Sequence, residues 1–285
     1  MNALPHPDDQ PLPFVTVTNW VRACRQCGIE IEPVFRAEGL DPLTLHPETA
    51  TITRGQMQRV MAACIAECER LGSPQHFPAM LGDTFAFEYM GDVETFLTTS
   101  GTLREATRAL EWIPPLINPY MRFALAEHGQ EARITLHVDA DDLADHPITW
   151  AFMEGVVTAV VKFSRLLLAG QPLLGHATFR HPSHTHSAWM AEHLGLPIRW
   201  GEPIDALWFD RRLLDLPLRG AFPALHEQAA QRVVATVAQR AARQPSWGDS
   251  EAGASLVQRI EQAFLGKPRL LGLGLEGLAD ELGVH

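Results

Sequence analysis

Met121-Arg-Phe-Ala-Leu-Ala-Glu-His-Gly-Gln-Glu-Ala-Arg-Ile-Thr-Leu-His-Val138 is where the hydrophobic period of this chain changes. Upstream, apolar residues recur every three to four positions. Here they recur every second one: Met121, Phe123 and Leu125 alternate with Arg122, Ala124 and Ala126, and Ile134, Leu136 and Val138 alternate with Arg133, Thr135 and His137. A period of two marks a half-buried strand, and His128-Gly129 between the two runs is a turn, so the stretch predicts a β-hairpin. A hairpin set after a helical region makes the chain α+β rather than all-α.

Working outward towards the N-terminus, residues 119–221 read as sheet-containing, 14–118 as helical, and 1–13 as a flexible lead. Val17, Trp20, Val21, Cys24 and Cys27 form a helical stripe that Gly28 ends. Thr53 and Gln56 form a capping box, followed by Met57, Val60, Met61, Cys64, Ile65, Cys68 and Leu71, with a stop at Gly72-Ser73-Pro74. Thr102 and Glu105 open a third helix, expected to run to Pro114-Pro115.

Towards the C-terminus, Pro147 suits a first helical turn, and a long apolar helix is expected over 147–169. Strands are expected over 176–181 and 205–209, around a helix near 187–194. The fold expected is therefore a helical N-terminal region packed with a small, mainly antiparallel sheet backed by one long helix. Residues 222–253 read as a linker helix over 223–243 and a linker, and the stripe Leu225, Ala229, Val233, Val237 is a candidate dimer seam. Residues 254–285 read as the start of a further domain. An amphipathic helix is expected over 255–265. Leu275, Leu278, Leu282 and Val284 keep helical spacing, with Ala279 at a tight-packing position and Gly283 at the turn, like the first helix of a helix-turn-helix. The second helix of that motif reads DNA, and it would follow His285, so the DNA-binding unit is expected to be truncated.

Bulk properties limit the function. The 285 residues are 46% hydrophobic and 20% charged, an ordinary globular balance, with a formal net charge of −11. Residues 252–285 hold three Lys/Arg against four Asp/Glu. Phosphate contacts need a basic surface, so DNA contact is expected only through residues beyond these. The proline-rich, acidic start is unlike a signal peptide. The most apolar stretch, 148–168, is interrupted by Glu154, Lys162 and Arg165, which suits a core helix better than a membrane span. A cytoplasmic protein with no membrane association is expected.

Several segments together resemble the AraC/XylS family of transcriptional regulators, in the branch with a large N-terminal effector domain of the arabinose-binding type. They are Gly101-Thr-Leu-Arg-Glu-Ala106, Pro119-Tyr-Met-Arg-Phe-Ala-Leu-Ala-Glu-His-Gly129, Phe179-Arg-His-Pro182, Leu194-Gly-Leu-Pro-Ile-Arg-Trp-Gly201, and the exit at 210–218. Each is weakly specific alone; their order and spacing are more so. The resemblance covers nearly the whole chain. It implies an effector-binding domain over 14–221, homodimers, and a small-molecule effector that controls DNA binding without being chemically changed.

The expected effector site draws on apolar and aromatic density. Phe85, Phe87, Tyr89 and Met90 form one cluster; Trp150 and Met153 lie on the long helix; Phe123 lies in the hairpin. Arg122, Glu154 and Arg180, with Lys162, are candidate polar anchors for an apolar or carboxylate effector. Cys24-x2-Cys27 and Cys64-x3-Cys68 offer an alternative metal- or redox-sensing role, against the reading of small buried hydrophobes on two helical stripes. His176, His181, His184, His186 and His193 are a second set of candidate ligands, set against polar residues at a strand-to-helix turn. No Gly-x-Ser-x-Gly elbow occurs, and Gly272-x-Gly274-x-x-Gly277 has too little chain after it for a βαβ unit. Neither an enzyme nor a bound cofactor is expected.

Overall fold

The computed structural model describes residues 11–138, 146–173 and 175–243. The expected helices over 255–265 and 275–282 lie outside the described residues. The chain divides into a unit of Met1–Val237 and a second of Ala238–His285, in which only 238–243, the end of one helix, are described.

Helices come first. Strand β1 (Pro11–Pro13) precedes α1 (Val17–Cys27) and α2 (Ile31–Ala37) and pairs antiparallel with β2 (Thr51–Thr53). Residues 11–13, read from sequence as part of a flexible lead, are thus an ordered strand, with Leu12 buried between its prolines. Helix α3 (Arg54–Arg70) carries both halves of its capping box: the Gln56 amide donates to Thr53 Oγ1 at 3.1 Å, and the Thr53 amide to Gln56 Oε1 at 3.0 Å. Helices α4 (Phe77–Thr84) and α5 (Gly91–Thr99) follow.

The third expected helix is not continuous. It is α6 (Leu103–Thr107), then a 3₁₀ segment Arg108–Trp112, then α7 (Ile113–Leu116). Pro114 and Pro115 lack the amides that a continuous α-helix would bond back one turn, and the chain tightens ahead of them.

The hairpin forms β3 (Met121–His128) and β4 (Glu131–Val138), with Phe123 opposite Leu136 and Leu125 opposite Ile134. Then come α8 (Pro147–Leu168), β5 (Gly175–Phe179), α9 (Ser187–Leu194), β6 (Ile198–Trp200), β7 (Asp205–Asp210) and α10 (Pro223–Arg243). The sheet order is β3-β4-β7-β5-β6, antiparallel except for the parallel β5–β6 pair. His181 lies past the end of β5, in the turn to α9.

Three buried clusters hold these elements. The sheet packs on α8 through Ile134, Leu136, Ala177, Phe179, Leu207, Val157 and Val161. Helices α1, α3 and α4 pack around Phe14, Trp20, Met61 and Phe77. Helix α10 docks Ala229 and Val233 against Val93, Phe96 and Trp112. Helix α4 crosses α8 at two glycines: a Cβ on Gly82 would stand 2.0 Å from the Gly155 carbonyl oxygen, so only hydrogen fits there. Among the described residues no helix is long and apolar enough to cross a membrane.

Candidate ligand-binding site

Where the three clusters meet they leave a cavity of about 200 Å³. Helix α8 forms its longest wall, with Phe152, Gly155, Val156, Ala159, Val160 and Phe163. These recur at helical spacing, so one face of α8 looks into the cavity while Val157 and Val161 face the sheet. The hairpin adds Met121, Phe123 and Ile134, and the helical region adds Trp20, Met57, Leu103 and Leu110. The polar lining residues are Thr16, Asn19, Thr107, Asn118 and Ser164; no Asp, Glu, Lys, Arg or His contributes. Asn19 is engaged in structure: its Nδ2 donates to the Ala86 carbonyl at 3.2 Å and its Oδ1 accepts from the Ala86 amide at 3.0 Å. This pins the 85–87 segment to α1, and Phe87 packs on Phe163 at 5.0 Å between ring centroids.

Of the ten expected ligand-site residues, the structure brings Phe85, Phe87 and Phe123 to the cavity. The other seven sit elsewhere. Tyr89 is 41% exposed, and Met90 is buried in the cluster beneath α10. The Arg122 guanidinium donates to the Pro119 carbonyl at 2.6 Å and to the Met121 carbonyl at 2.9 Å. Trp150 stacks on His181, and Met153 belongs to the sheet core. The Arg180 amide donates to Asp205 at 2.8 Å, at the end of β5. Lys162 Nζ donates to the Phe85 carbonyl at 2.7 Å, and burial pushes its pKa down. Trp20, read from sequence as a member of a helical stripe, is a cavity wall, as are Phe152 and Phe163, part of the aromatic density along the long helix.

Glu154 has a different role from the expected anchor. It is buried on α8, away from the cavity, among imidazoles. Its Oε2 lies 2.6 Å from His76 Nε2, its Oε1 2.6 Å from His184 Nε2 and 3.6 Å from His181 Nε2. Burial pushes its carboxyl up, but the bonds from His184 and His76, and their charge, outweigh it and hold the pKa at about 2. His76 comes from the residue before α4 and was missed in sequence, because nothing local ties it to position 154. Of the five histidines grouped by sequence, His181, His184 and His186 gather here. His176 instead stacks on Trp208, and His193 on Trp189.

All four cysteines are buried and unbridged. Cys24 Sγ lies 3.6 Å from Cys64 Sγ across α1 and α3, and Cys68 Sγ donates to the Gln75 carbonyl at 3.3 Å. The Cys24 contact and burial push the Cys64 thiol far up; burial and Cys68 do the same to Cys27. Such thiols are protonated and poor nucleophiles.

A family model, the arabinose-binding domain of AraC transcription regulator, N-terminal, matches residues 28–218. Among solved structures, the chain is similar to a crystal structure of the transcriptional regulator CdpR from Pseudomonas aeruginosa, at 14% identity and a TM-score of 0.47 over 89% of each chain. No curated protein matches. The family match takes in the α1–α2 junction, the hairpin, α8 and the whole sheet, and on it the chain belongs to the AraC transcription regulators that carry an N-terminal arabinose-binding domain.

Proposed function

We propose that this chain senses a small, apolar, uncharged molecule held in the cavity between α8, the hairpin and the helical region. It does no chemistry on that molecule. The observation that carries the reading is the lining itself: aromatic and aliphatic on all sides, with a few hydroxyls and amides and no charged group. Small-molecule sites have this make-up. A carboxylate effector fits less well, because Arg122 and Arg180 lie elsewhere and Lys162 already serves the Phe85 carbonyl. An apolar hollow of this make-up is poorly hydrated, and an apolar guest that fills it removes both surfaces from water. Filling it therefore has a strong driving force.

The route from ligand to output runs through shared side chains. Phe85, Phe87, Ile113, Phe163 and Leu167 line the cavity and also belong to the cluster on which α10 docks Ala229 and Val233. A ligand that presses on this wall biases the seating of α10, the segment that leads towards the helix-turn-helix region read at 254–285. Homodimerisation, which the family resemblance implies, does not use Ala229 and Val233 as its seam while these are buried on the chain's own core. A metal- or redox-sensing role for Cys24, Cys27, Cys64 and Cys68 has less support, because packing accounts for all four and the Cys27 and Cys64 thiols are pushed up in pKa.

Thermal-shift measurements against aliphatic alcohols, fatty acids and neutral aromatics test the reading. At least one neutral apolar compound is expected to raise the melting temperature of the protein by several degrees. Ala159→Phe, which fills the cavity from α8, is expected to keep or raise the unliganded melting temperature and to abolish that shift. A shift that survives Ala159→Phe would place the ligand elsewhere; a response confined to carboxylates would overturn the uncharged class.

A further inference from the structure

Glu154 is the single carboxylate among three imidazoles in the interior, and one of these is badly placed for a metal-free network. The His181 ring is 2% exposed. Its Nδ1 faces the Pro182 carbonyl at 3.0 Å, an acceptor only, so Nδ1 carries the proton. Nε2 is then a bare lone pair. It has no hydrogen-bond partner and is aimed at Glu154 Oε1 from 3.6 Å, so two electron-rich atoms face each other out of water. A buried acceptor in that position is costly. A cation between the two atoms turns the repulsion into two bonds.

We propose that His76, Glu154 and His184, joined by His181, form a binding site for one divalent transition-metal ion, zinc by preference. The ligand atoms of His76, Glu154 and His184 lie within 4.8 Å of one another. A tetrahedral zinc ion holds its ligands at about 2.0–2.1 Å and hence roughly 3.3 Å apart; His181 Nε2 stands 3.6 Å from Glu154 Oε1, near that separation, while His76 and His184, hydrogen-bonded at 2.6 Å to Oε2 and Oε1, have to move apart by several tenths of an ångström as the ion replaces the shared protons. Three imidazoles and one carboxylate match the ligand softness zinc takes. The His181 Nδ1 bond to a backbone carbonyl is the outer-shell contact that orients metal-bound histidines. His184, 30% exposed, gives the ion its way in.

Uptake has a definite proton balance. His184 is neutral here, since its Nδ1 accepts from the His186 amide at 3.3 Å and its one proton sits on Nε2 towards Glu154. To ligate through Nε2 it moves that proton to Nδ1, with no net release, and loses this long bond; His76 likewise frees Nε2 of the proton it shares with Glu154 and holds one on Nδ1. The ion would tie the start of α4, the middle of α8 and the β5–α9 turn together. It lies apart from the proposed effector cavity, so the two assignments stand or fall separately.

The test is titration of the full chain, stripped of metal, with Co²⁺ and then Zn²⁺. The expected result is one Co²⁺ per chain, with the intense visible bands of tetrahedral cobalt, displaced by Zn²⁺. Glu154→Gln and His181→Ala are each expected to weaken binding at least about tenfold. His184→Ala, at the exposed edge, is the variant that keeps the test sound if the buried changes impair folding; far-ultraviolet dichroism and melting check its fold. Failure of the folded wild-type protein to take up a stoichiometric ion would overturn the assignment. So would unchanged affinity in folded His184→Ala, or a thiolate-to-cobalt charge-transfer band, which would place the ion on the cysteines.

Discussion

Cys64 shows how a residue type can point two ways until its surroundings are known. Four thiols in two pairs on two helices fit a metal site in sequence; in the structure α1 and α3 do face each other, but the thiols fill the core between them. With its pKa raised by the Cys24 contact and by burial, Cys64 is a protonated, shielded thiol. Native protein is therefore expected to resist alkylation at Cys24, Cys27, Cys64 and Cys68 and to react fully once unfolded, as mass spectrometry after iodoacetamide would show. Rapid labelling of native Cys64 would contradict the burial described here. The site residues were only partly legible for a related reason. Aromatic density found Phe85, Phe87 and Phe123, because cavity walls and cores share one composition. It could not separate Phe152, which faces the cavity, from Met153, which faces the sheet, since neighbours on a helix point 100° apart and the orientation of α8 is set by its packing. The pairing of His76 with Glu154 spans 78 positions and has no local signature.

At the level of elements, those with strong local signals were readable: α1, α3, α8 and the hairpin each have a long periodic stripe, a cap or a turn glycine. Helix α4 was not, because it is buried on nearly every side (Phe77, Pro78, Ala79, Met80, Gly82) and so has no amphipathic period. Helix α2 is short and contains Pro33, and β6 is a three-residue edge strand whose pairing with β5 is entirely non-local. Helix ends allow two sharper expectations. Helix α8 stops at Ala169, whose φ of 49° lies in the left-handed region. Ala169→Gly removes a Cβ penalty of about 1 kcal/mol and is expected to raise the melting temperature by roughly 2–4 °C. At the start of α6, Arg104 ion-pairs with Glu127 on β3 and with Asp215, and Arg211 also reaches Glu127. Bonds from Arg104 and then Arg211 lower the Glu127 pKa from 4.5 to about 2. A carboxylate lowered by folding adds stability above its unfolded value, and this is lost as pH falls from about 4.5 towards 2. Arg104→Ala is expected to move the Glu127 midpoint up towards its ordinary value in a carboxyl NMR titration; an unmoved midpoint would show that the pairs do not persist in solution.

Across the whole molecule, three cores meet around one void, and α10 is held by a few small contacts on the third of them. Val233 is 2% exposed there and Val234 is 55% exposed. Val233→Asp buries an unpaired carboxylate and is expected to cost roughly 3 kcal/mol or more in denaturant unfolding. Val234→Asp is expected to stay within about 0.5 kcal/mol of the parent. Equal costs would mean that α10 is not seated as described. The general plan, α+β with a long helix behind an antiparallel sheet, was legible because it follows from alternating periods and one long apolar run. The void was not, since it arises from how the three clusters fail to close on each other, which no single segment encodes.

The glycine crossing of α4 on α8 divides the void into a side that yields and a side that does not. Backbone meets backbone there without an intervening side chain, so neither helix can slide to make room. The short Phe85–Phe87 segment, which also lines the cavity, is moored instead by side chains, through two hydrogen bonds with Asn19 and one from Lys162. On the proposed function, guests of different girth would be met by the give of that tether, and Asn19 and Lys162, whose side chains moor the segment, would set the size it tolerates.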